Sequence, residues 1–155
     1  MICLLTINGV TLQAALAEPN PAISVADPDS LSDAVARITA TLESQGSDII
    51  LVVNHSAAAG SVGLELAPTQ VIFARPSRFL ERILLKRSDT IGIDLPQKFL
   101  VWEDANDVVN ITYNDPFFIA ARHNIQGQDA RLEAIAGALR RFALLGAGRD
   151  PEEVN

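Results

Sequence analysis

The sequence predicts an α+β fold, in which an antiparallel β-sheet carries helices packed on one face. The predicted elements follow the order strand, helix, several strands, helix, and short turns join the later strands, as antiparallel neighbours require. Residues 109–114 alternate apolar and polar side chains, which is typical of a strand with one buried and one wet face. At 155 residues, the chain has the size of one domain with its own core.

The first elements are a short strand at 22–26 and an amphipathic helix. Ser30, followed three positions later by Asp33, resembles a capping box with a shorter acid. Gly46 stands where a helix stops in the left-handed C′ position. The helix between them carries one apolar stripe, made by Leu31, Val35, Ile38 and Leu42.

The middle of the chain predicts strands and one further helix. The run DIILVVNH (48–55) is rich in β-branched residues, which favours a strand buried on both faces or nearly so. A small-residue loop follows, with room for a turn of helix. Strand segments at 64–66 and 69–75 are separated by Pro68, which indicates an edge or a bulge. Residues 76–87 predict a helix that begins near Pro76.

The last third contains the clearest pattern. Strands at 98–104 and 108–114 are joined by the turn 105–107. Asp115 suits an N-cap and Pro116 the first helical position of a short helix. The final helix follows Gly127 and is predicted from a continuous apolar stripe of Leu132, Ile135, Ala136, Leu139, Phe142 and Ala143.

The charge limits the partners. A net charge of −7 argues against nucleic acid and against anionic lipid, because both need a basic surface. Half of the twelve basic residues nevertheless lie between Arg75 and Lys98, and Arg78, Arg82 and Lys86 recur at helical spacing. A solvated helix face is the simpler interpretation of this stripe, and a site for an anionic partner is the alternative.

The N-terminus predicts export. Residues 1–17 contain no Asp, Glu, Lys or Arg and end in Ala15-Leu16-Ala17, an A-x-A pattern typical of a signal peptide, although a basic n-region is missing. The run is too short and too interrupted for a membrane span. We therefore expect a signal peptide at 1–17, one domain at 18–147, a disordered tail at 148–155, and a periplasmic or secreted location. A strand-forming N-terminus of a cytoplasmic protein is the alternative.

Three motifs resemble a known family. The stretches VGLELAPTQVIF, TIGIDLPQKFLVWEDA and ITYNDPFFIAARHNI, in this order and spacing, are similar to the bacterial and archaeal family called domain of unknown function three hundred and two (DUF302). The resemblance covers roughly residues 22–145. It implies an α+β fold like one half of the TATA-binding protein, in the order strand, helix, four strands, helix. It also implies that the protein does not bind DNA and that many members are exported. It supplies no activity.

The sequence departs from the family pattern at one turn. Members usually carry Gly-Asn-Pro-Lys after the VIF strand, whereas this chain has Ala74-Arg75-Pro76-Ser77. If that turn forms a binding surface in relatives, this protein binds something else there.

The two histidines are candidate metal ligands. A hairpin of 49–55 with 62–66, centred on Gly60, would place His55 opposite Glu65. His123 ends the short helix, so His55, Glu65 and His123 could together hold a zinc ion with an open position. No metal-binding spacing supports this site, and separate capping or hydrogen bonding of each histidine is the alternative. The single cysteine, Cys3, excludes a cysteine zinc cage.

Polar residues also surround the short helix. Tyr113, Arg122 and His123, with His55 and Glu65, are the candidate ligand-binding residues, while the alternative is that they cap helices or complete the core. In that alternative, Arg122 pairs with Glu103 or Asp104 from the neighbouring strand.

No nucleophile elbow or phosphate loop is present in the sequence. We therefore expect a small exported binding or interaction module without catalysis or cofactor, whose partner is a small ligand or a protein and whose sheet allows self-association. A metal-binding protein or metal-dependent enzyme is the alternative.

Overall fold

The computed structural model describes residues 22–27, 29–75 and 86–152. A five-stranded antiparallel sheet organises these residues, in the strand order β1-β5-β4-β3-β2. The α+β prediction is confirmed. The strands are β1 (Ala22–Asp27), β2 (Asp48–Asn54), β3 (Thr69–Arg75), β4 (Gln97–Glu103) and β5 (Val109–Asn114).

Three of the described helices lie where the sequence predicts them, and two short ones lie in predicted loops. In the described part of the chain the helices are α1 (Leu31–Ser44), α2 (His55–Gly60), a 3-10 helix (Asp89–Ile93), α3 (Pro116–Arg122) and α4 (Asp129–Gly146). The predicted signal peptide at 1–17, with Cys3, lies outside the described residues, and so does most of the predicted helix at 76–87. None of the described helices combines the length and the hydropathy needed to cross a membrane.

Helix α1 forms where the sequence predicts it. The Ser30 hydroxyl accepts a hydrogen bond from the Asp33 amide at 3.2 Å and donates one to the Asp33 carboxylate at 2.7 Å. One amide of the first helical turn, which has no partner within the helix, is therefore hydrogen-bonded. Gly46 then adopts a φ of +76°, which glycine tolerates without a Cβ clash. The face towards the sheet buries Leu31, Ala34, Ile38 and Leu42.

One core lies between the sheet and the pair α1 and α4. Phe99, Val101 and Ile111 from the central strands are fully buried in it. The two helices approach closely at Gly146, where an added Cβ would lie 2.8 Å from the Ile38 Cβ. Both helices therefore cover the same face of the sheet, as predicted.

A buried ion pair ties β1 to this helical layer. The Arg37 Nη2 donates to both carboxylate oxygens of Asp27, at 2.7 and 2.9 Å, and the Asp27 side chain is fully buried. The Arg37 Nη1 donates to Asp29 at 2.9 Å, and the Nε donates to the Gly146 carbonyl at 2.9 Å. One guanidinium thus joins β1, α1 and the end of α4.

The prediction that β2 is buried on both faces is wrong. It is an edge strand, and Ile50, Leu51 and Val52 are 46%, 53% and 39% exposed. The predicted hairpin of 49–55 with 62–66 is also wrong, because β2 pairs with β3, from Asp48 opposite Arg75 to Asn54 opposite Gln70. Residues 64–66 are not a strand.

The turn between β4 and β5 is held by one carboxylate. The Asp104 Oδ1 accepts the amides of Asn106 and Val108 at 2.8 and 3.0 Å. These two hydrogen bonds lower the pKa of Asp104. The predicted β-turn connection is therefore confirmed, and Asp107 occupies the left-handed region with a φ of 60°.

Candidate functional site

The stretch around α3 begins as the sequence predicts. The Asp115 carboxylate accepts the Phe117 amide at 2.8 Å, so Asp115 is the N-cap and Pro116 fills the first helical position. His123 is the C-cap residue, directly after Arg122. The helix therefore delivers Arg122 and His123 to one place at its C-terminal end.

His123 lies at the centre of a polar chain. Its Nε2 lies 2.5 Å from the Asp94 Oδ2, and its Nδ1 lies 2.9 Å from the Thr90 Oγ1. The histidine and aspartate side chains are 4% and 11% exposed. Because an ionised carboxylate only accepts, the His123 Nε2 donates to Asp94, and in the neutral ring the Nδ1 accepts from the Thr90 hydroxyl.

Two cations also contact Asp94. The Arg122 Nη1 donates to the Asp94 Oδ1 at 3.2 Å, so the predicted pairing of Arg122 with Glu103 or Asp104 is wrong. The Lys98 Nζ donates to the Asp94 backbone carbonyl at 2.7 Å. Burial lowers the pKa of Lys98, and the Asp94 charge partly opposes this shift.

The space beside this cluster is too small for an organic ligand. The pocket there has a volume of about 40 Å³, far below the roughly 300–1,000 Å³ typical of small-molecule sites. Its wall is mainly apolar and includes Ile91, Leu95, Ile119, Ala120 and Ile125. We therefore interpret the Thr90–His123–Asp94 chain as a structural link between the 3-10 helix and α3.

His55 and Glu65 lie apart from this cluster. His55 is the first residue of α2, whose N-cap Asn54 accepts the Ala57 amide at 2.8 Å, and Glu65 follows α2 in an irregular segment. Both residues are exposed. Within 22–27, 29–75 and 86–152, no three His, Cys, Asp or Glu side chains come close enough to hold a metal ion. The structure therefore does not assemble the predicted site of His55, Glu65 and His123.

Tyr113 lies at a second location, near the β1 edge. Its ring is buried against Phe99, with ring centroids 5.9 Å apart. Burial raises the pKa of the hydroxyl; the positive charge of Arg140 opposes the shift and the Asp115 carboxylate adds to it. Tyr113 therefore remains a neutral hydrogen-bonding group at physiological pH.

A groove of about 540 Å³ runs between β1 and α4, with Tyr113 in its wall. We call it the β1–α4 groove. Among the described residues, Arg140 and Arg149 are its charged lining residues, and no carboxylate of that part of the chain lines it. The Arg149 amide donates to the Leu144 carbonyl at 2.9 Å, which fixes the backbone of Arg149 at the end of α4. The remaining lining residues are Ile23, Ser24, Val25, Ala136, Gly137 and Leu144.

Sequence reasoning missed the residues that complete both locations. Asp94 lies 29 positions before its partner His123, and no periodic pattern connects them. The sequence contains a weak signal for the groove, because Ala136, Arg140 and Leu144 are spaced four residues apart and lie in one row along α4. That row lies between the core stripe and solvent, so the sequence alone does not distinguish it from a solvated edge.

The fold places the chain in the class of small α+β domains built on one antiparallel sheet. Its described residues form no cluster that could hold a metal ion. A family model described as "Domain of unknown function DUF302" matches residues 23–142. The chain therefore belongs to the DUF302 family, as the sequence motifs predict.

A solved structure has the same fold. The crystal structure of the uncharacterized conserved protein DUF302 from Bacillus stearothermophilus superposes with a TM-score of 0.67, covering 83% of this chain and 97% of that chain. The two sequences are 17% identical, so the likeness concerns the fold alone.

Curated relatives carry a different description. The protein named Fluoride-specific ion channel FluC 1 of Brucella suis biovar 1 (strain 1330) is 36% identical over 104 residues, which cover 66% of this chain and 40% of that protein. Fluoride-specific ion channel FluC 2 of Brucella melitensis biotype 1 matches equally well over 38% of its length. The chain thus spans about two fifths of the length of these relatives.

Proposed function

We propose that this protein is a small, non-catalytic binding module that holds an anion with an apolar portion in the β1–α4 groove. The observation that carries the proposal is the composition of the groove wall. The described residues that line it include two arginines, one neutral tyrosine and no carboxylate, in a chain of net charge −7. A cationic recess on an acidic protein favours a ligand of the opposite charge.

The size of the groove supports this proposal. Its volume of about 540 Å³ falls within the roughly 300–1,000 Å³ typical of small-molecule sites. The pocket beside His123, at about 40 Å³, falls far below that range. The apolar part of a ligand would lie along Ile23, Val25 and Leu144.

The chemistry of the wall favours a carboxylate or a similar oxyanion. A guanidinium presents a planar fork of donors that matches two carboxylate oxygens, and it keeps its charge at all physiological pH values. The raised pKa of Tyr113 keeps its hydroxyl neutral, so the tyrosine adds no repulsion towards an anion. A hydrogen bond to a charged group contributes about 1.5–3 kcal/mol.

The proposal is tested by calorimetric titration with hexanoate, benzoate, phosphate and fluoride. We expect a carboxylate with an apolar tail to bind wild-type protein, and Arg149→Gln to weaken that binding about 10- to 100-fold. Arg141→Gln is the matched control, because Arg141 follows Arg140 on α4 but does not line the groove. Equal affinity in wild type and Arg149→Gln, or no binding of any of the four anions, would contradict the proposal.

A second candidate function follows from the curated relatives. Proteins named fluoride-specific ion channels contain a region that resembles this chain. Regions joined in one polypeptide often act together, so we propose that this chain works beside a membrane channel for a small anion. Deletion of its gene in the native host should lower the fluoride concentration that stops growth. Unchanged tolerance, with the deletion verified, would argue against this candidate.

We also propose that the protein is exported. The uncharged run 1–17, ending in an A-x-A pattern, supports removal of a signal peptide. Mass spectrometry of the protein from its native host should give an N-terminus at Glu18 in the periplasmic or secreted fraction. A protein that retains Met1 and remains in the cytoplasm would refute export without affecting the groove proposal.

A further inference from the structure

We infer that β2 is the contact through which two copies of this chain associate, by antiparallel pairing of β2 with the partner's β2 across a two-fold axis at Val52. The two sheets would then continue into one. This inference is independent of ligand binding, because β2 and β1 form opposite edges of the sheet.

Exposed apolar side chains are concentrated in and after β2. Ten large hydrophobic side chains are exposed in the part of the chain that the structure describes, and six of them lie between positions 50 and 66. Such concentrations mark interaction sites more often than scattered single residues do. The six are Ile50, Leu51, Val52, Val62, Leu64 and Leu66.

The side chains of β2 give its edge none of the usual protection against pairing, and the one bulge-type irregularity in the strand stops before Leu51. Natural edge strands carry lysine, proline or inward charges that block another strand. Residues 49–54 are Ile-Ile-Leu-Val-Val-Asn, without any of these, and Asp48 lies 3.8 Å from Arg75 of its own chain. A register irregularity occurs at Ile50, between Ile49 and Leu51, so that residues 51–54 remain regular opposite β3.

The charge balance favours a second copy as the occupant. Two chains of net charge −7 repel each other, so their association needs a contact that adds no like-charge pair. Residues 50–54 contain no charged side chain, and in self-pairing centred on Val52 they meet only one another. A symmetric dimer requires a patch that is complementary to itself, and this strand meets that requirement.

The faces of the sheet limit the register, and the uncharged run of β2 selects its centre. Val52 is opposite the fully buried Ile72, which places it on the helical side, whereas Leu51 and Val53 are opposite Phe73 and Val71 on the other side. Residues paired across antiparallel strands point to the same side of the sheet, so the two-fold axis passes through a residue. We place it at Val52, the middle of the uncharged run 50–54, where Leu51 then faces the partner's Val53.

Charge variants test both the contact and its register. We expect wild-type protein to sediment as a dimer across a dilution series, and Leu51→Lys or Val53→Glu alone to weaken the dimer at least tenfold. The double variant Leu51→Lys/Val53→Glu should restore it, because each lysine then faces the partner's new glutamate. Ile93→Lys is the control, since Ile93 is 73% exposed and lies away from β2.

Several results would overturn the inference. A wild-type protein that remains monomeric at all concentrations removes the contact, and so does a dimer that survives both single substitutions. A double variant that keeps the wild-type circular dichroism and Trp102 fluorescence but remains monomeric refutes the register at Val52. The same spectra confirm that each single variant is folded, so loss of the dimer is separated from loss of the fold.

Discussion

Two glycines of α4 provide a matched test of the packing between the helices. At Gly146 an added Cβ would lie 2.8 Å from the Ile38 Cβ and 3.0 Å from the Ile111 Cδ1, both of which are fully buried. At Gly137 an added Cβ meets nothing within 4 Å. The same substitution, Gly→Ala, should therefore change stability in opposite directions at the two positions.

The expected magnitudes follow from helix propensity and overpacking. Gly137→Ala gains up to about 1 kcal/mol of unfolding free energy, because alanine is the better helix former. Gly146→Ala gains less from propensity at the helix end and incurs an overpacking cost of about 1–3 kcal/mol, for a net loss of about 1–2 kcal/mol. For a chain of this size, each kcal/mol shifts the melting temperature by about 2–4 °C.

Differential scanning calorimetry and urea unfolding of the two variants measure these changes. We expect Gly137→Ala to melt above wild type and Gly146→Ala to melt several degrees below it. If Gly146→Ala proves as stable as wild type, then α1 and α4 do not approach as closely as described, and the account of the core fails.

Three further predictions concern charge. Arg37→Met should lower the free energy of unfolding by about 3 kcal/mol in urea, because it leaves the buried Asp27 carboxylate without its cation. Asp48→Asn, which removes the exposed pair with Arg75, should cost less than about 1 kcal/mol. Equal effects of the two substitutions would contradict this prediction. The pKa of Tyr113 is raised in the folded state, so it provides stability that is present below the ordinary pKa of tyrosine and is lost as the pH rises through the folded-state pKa. Tyr113→Phe should remove this loss of stability at alkaline pH. The same dependence of stability on pH in the variant and in wild type would refute this prediction. The pKa of Asp104 is lowered in the folded state, so it provides stability that is present above the ordinary pKa of aspartate and is lost as the pH falls through the folded-state pKa. In Asp104→Ala, the urea concentration at the unfolding midpoint should therefore fall less steeply with decreasing pH. A decrease as steep as that of wild type would contradict this prediction.

Local patterns in the sequence predicted much of the fold. The cap of α1 at Ser30, the alternation in β5 and the N-cap at Asp115 all depend on neighbours within a few positions, and each forms as expected. The apolar stripe of α4 is likewise buried at Leu132, Leu139 and Ala143.

The position of β2 could not be predicted in the same way. An uninterrupted apolar run looks the same in a central strand as in an edge strand, and only the order of strands in the sheet decides between them. The expected local hairpin failed for a related reason. Residues 64–66, the expected partner, form no strand, and β2 pairs with β3 instead.

The sequence predicted only in part which polar side chains lie together. Arg122 and His123 do come together, since one helix end carries both, but their partner Asp94 depends on tertiary structure. His55 and Glu65 were joined by a register that does not form. The arginines of the β1–α4 groove were missed, because their role depends on which strand packs beside α4.

The central claim is anion binding in the β1–α4 groove, and the chain's single tyrosine tests it most directly. Because Tyr113 lines that groove, the tyrosinate absorbance reports on this site alone. We predict that saturating hexanoate raises the pKa of Tyr113 further, since a bound carboxylate adds negative charge nearby, and that Arg149→Gln abolishes this rise while Arg141→Gln keeps it. A Tyr113 titration that hexanoate leaves unchanged in wild-type protein would contradict the account.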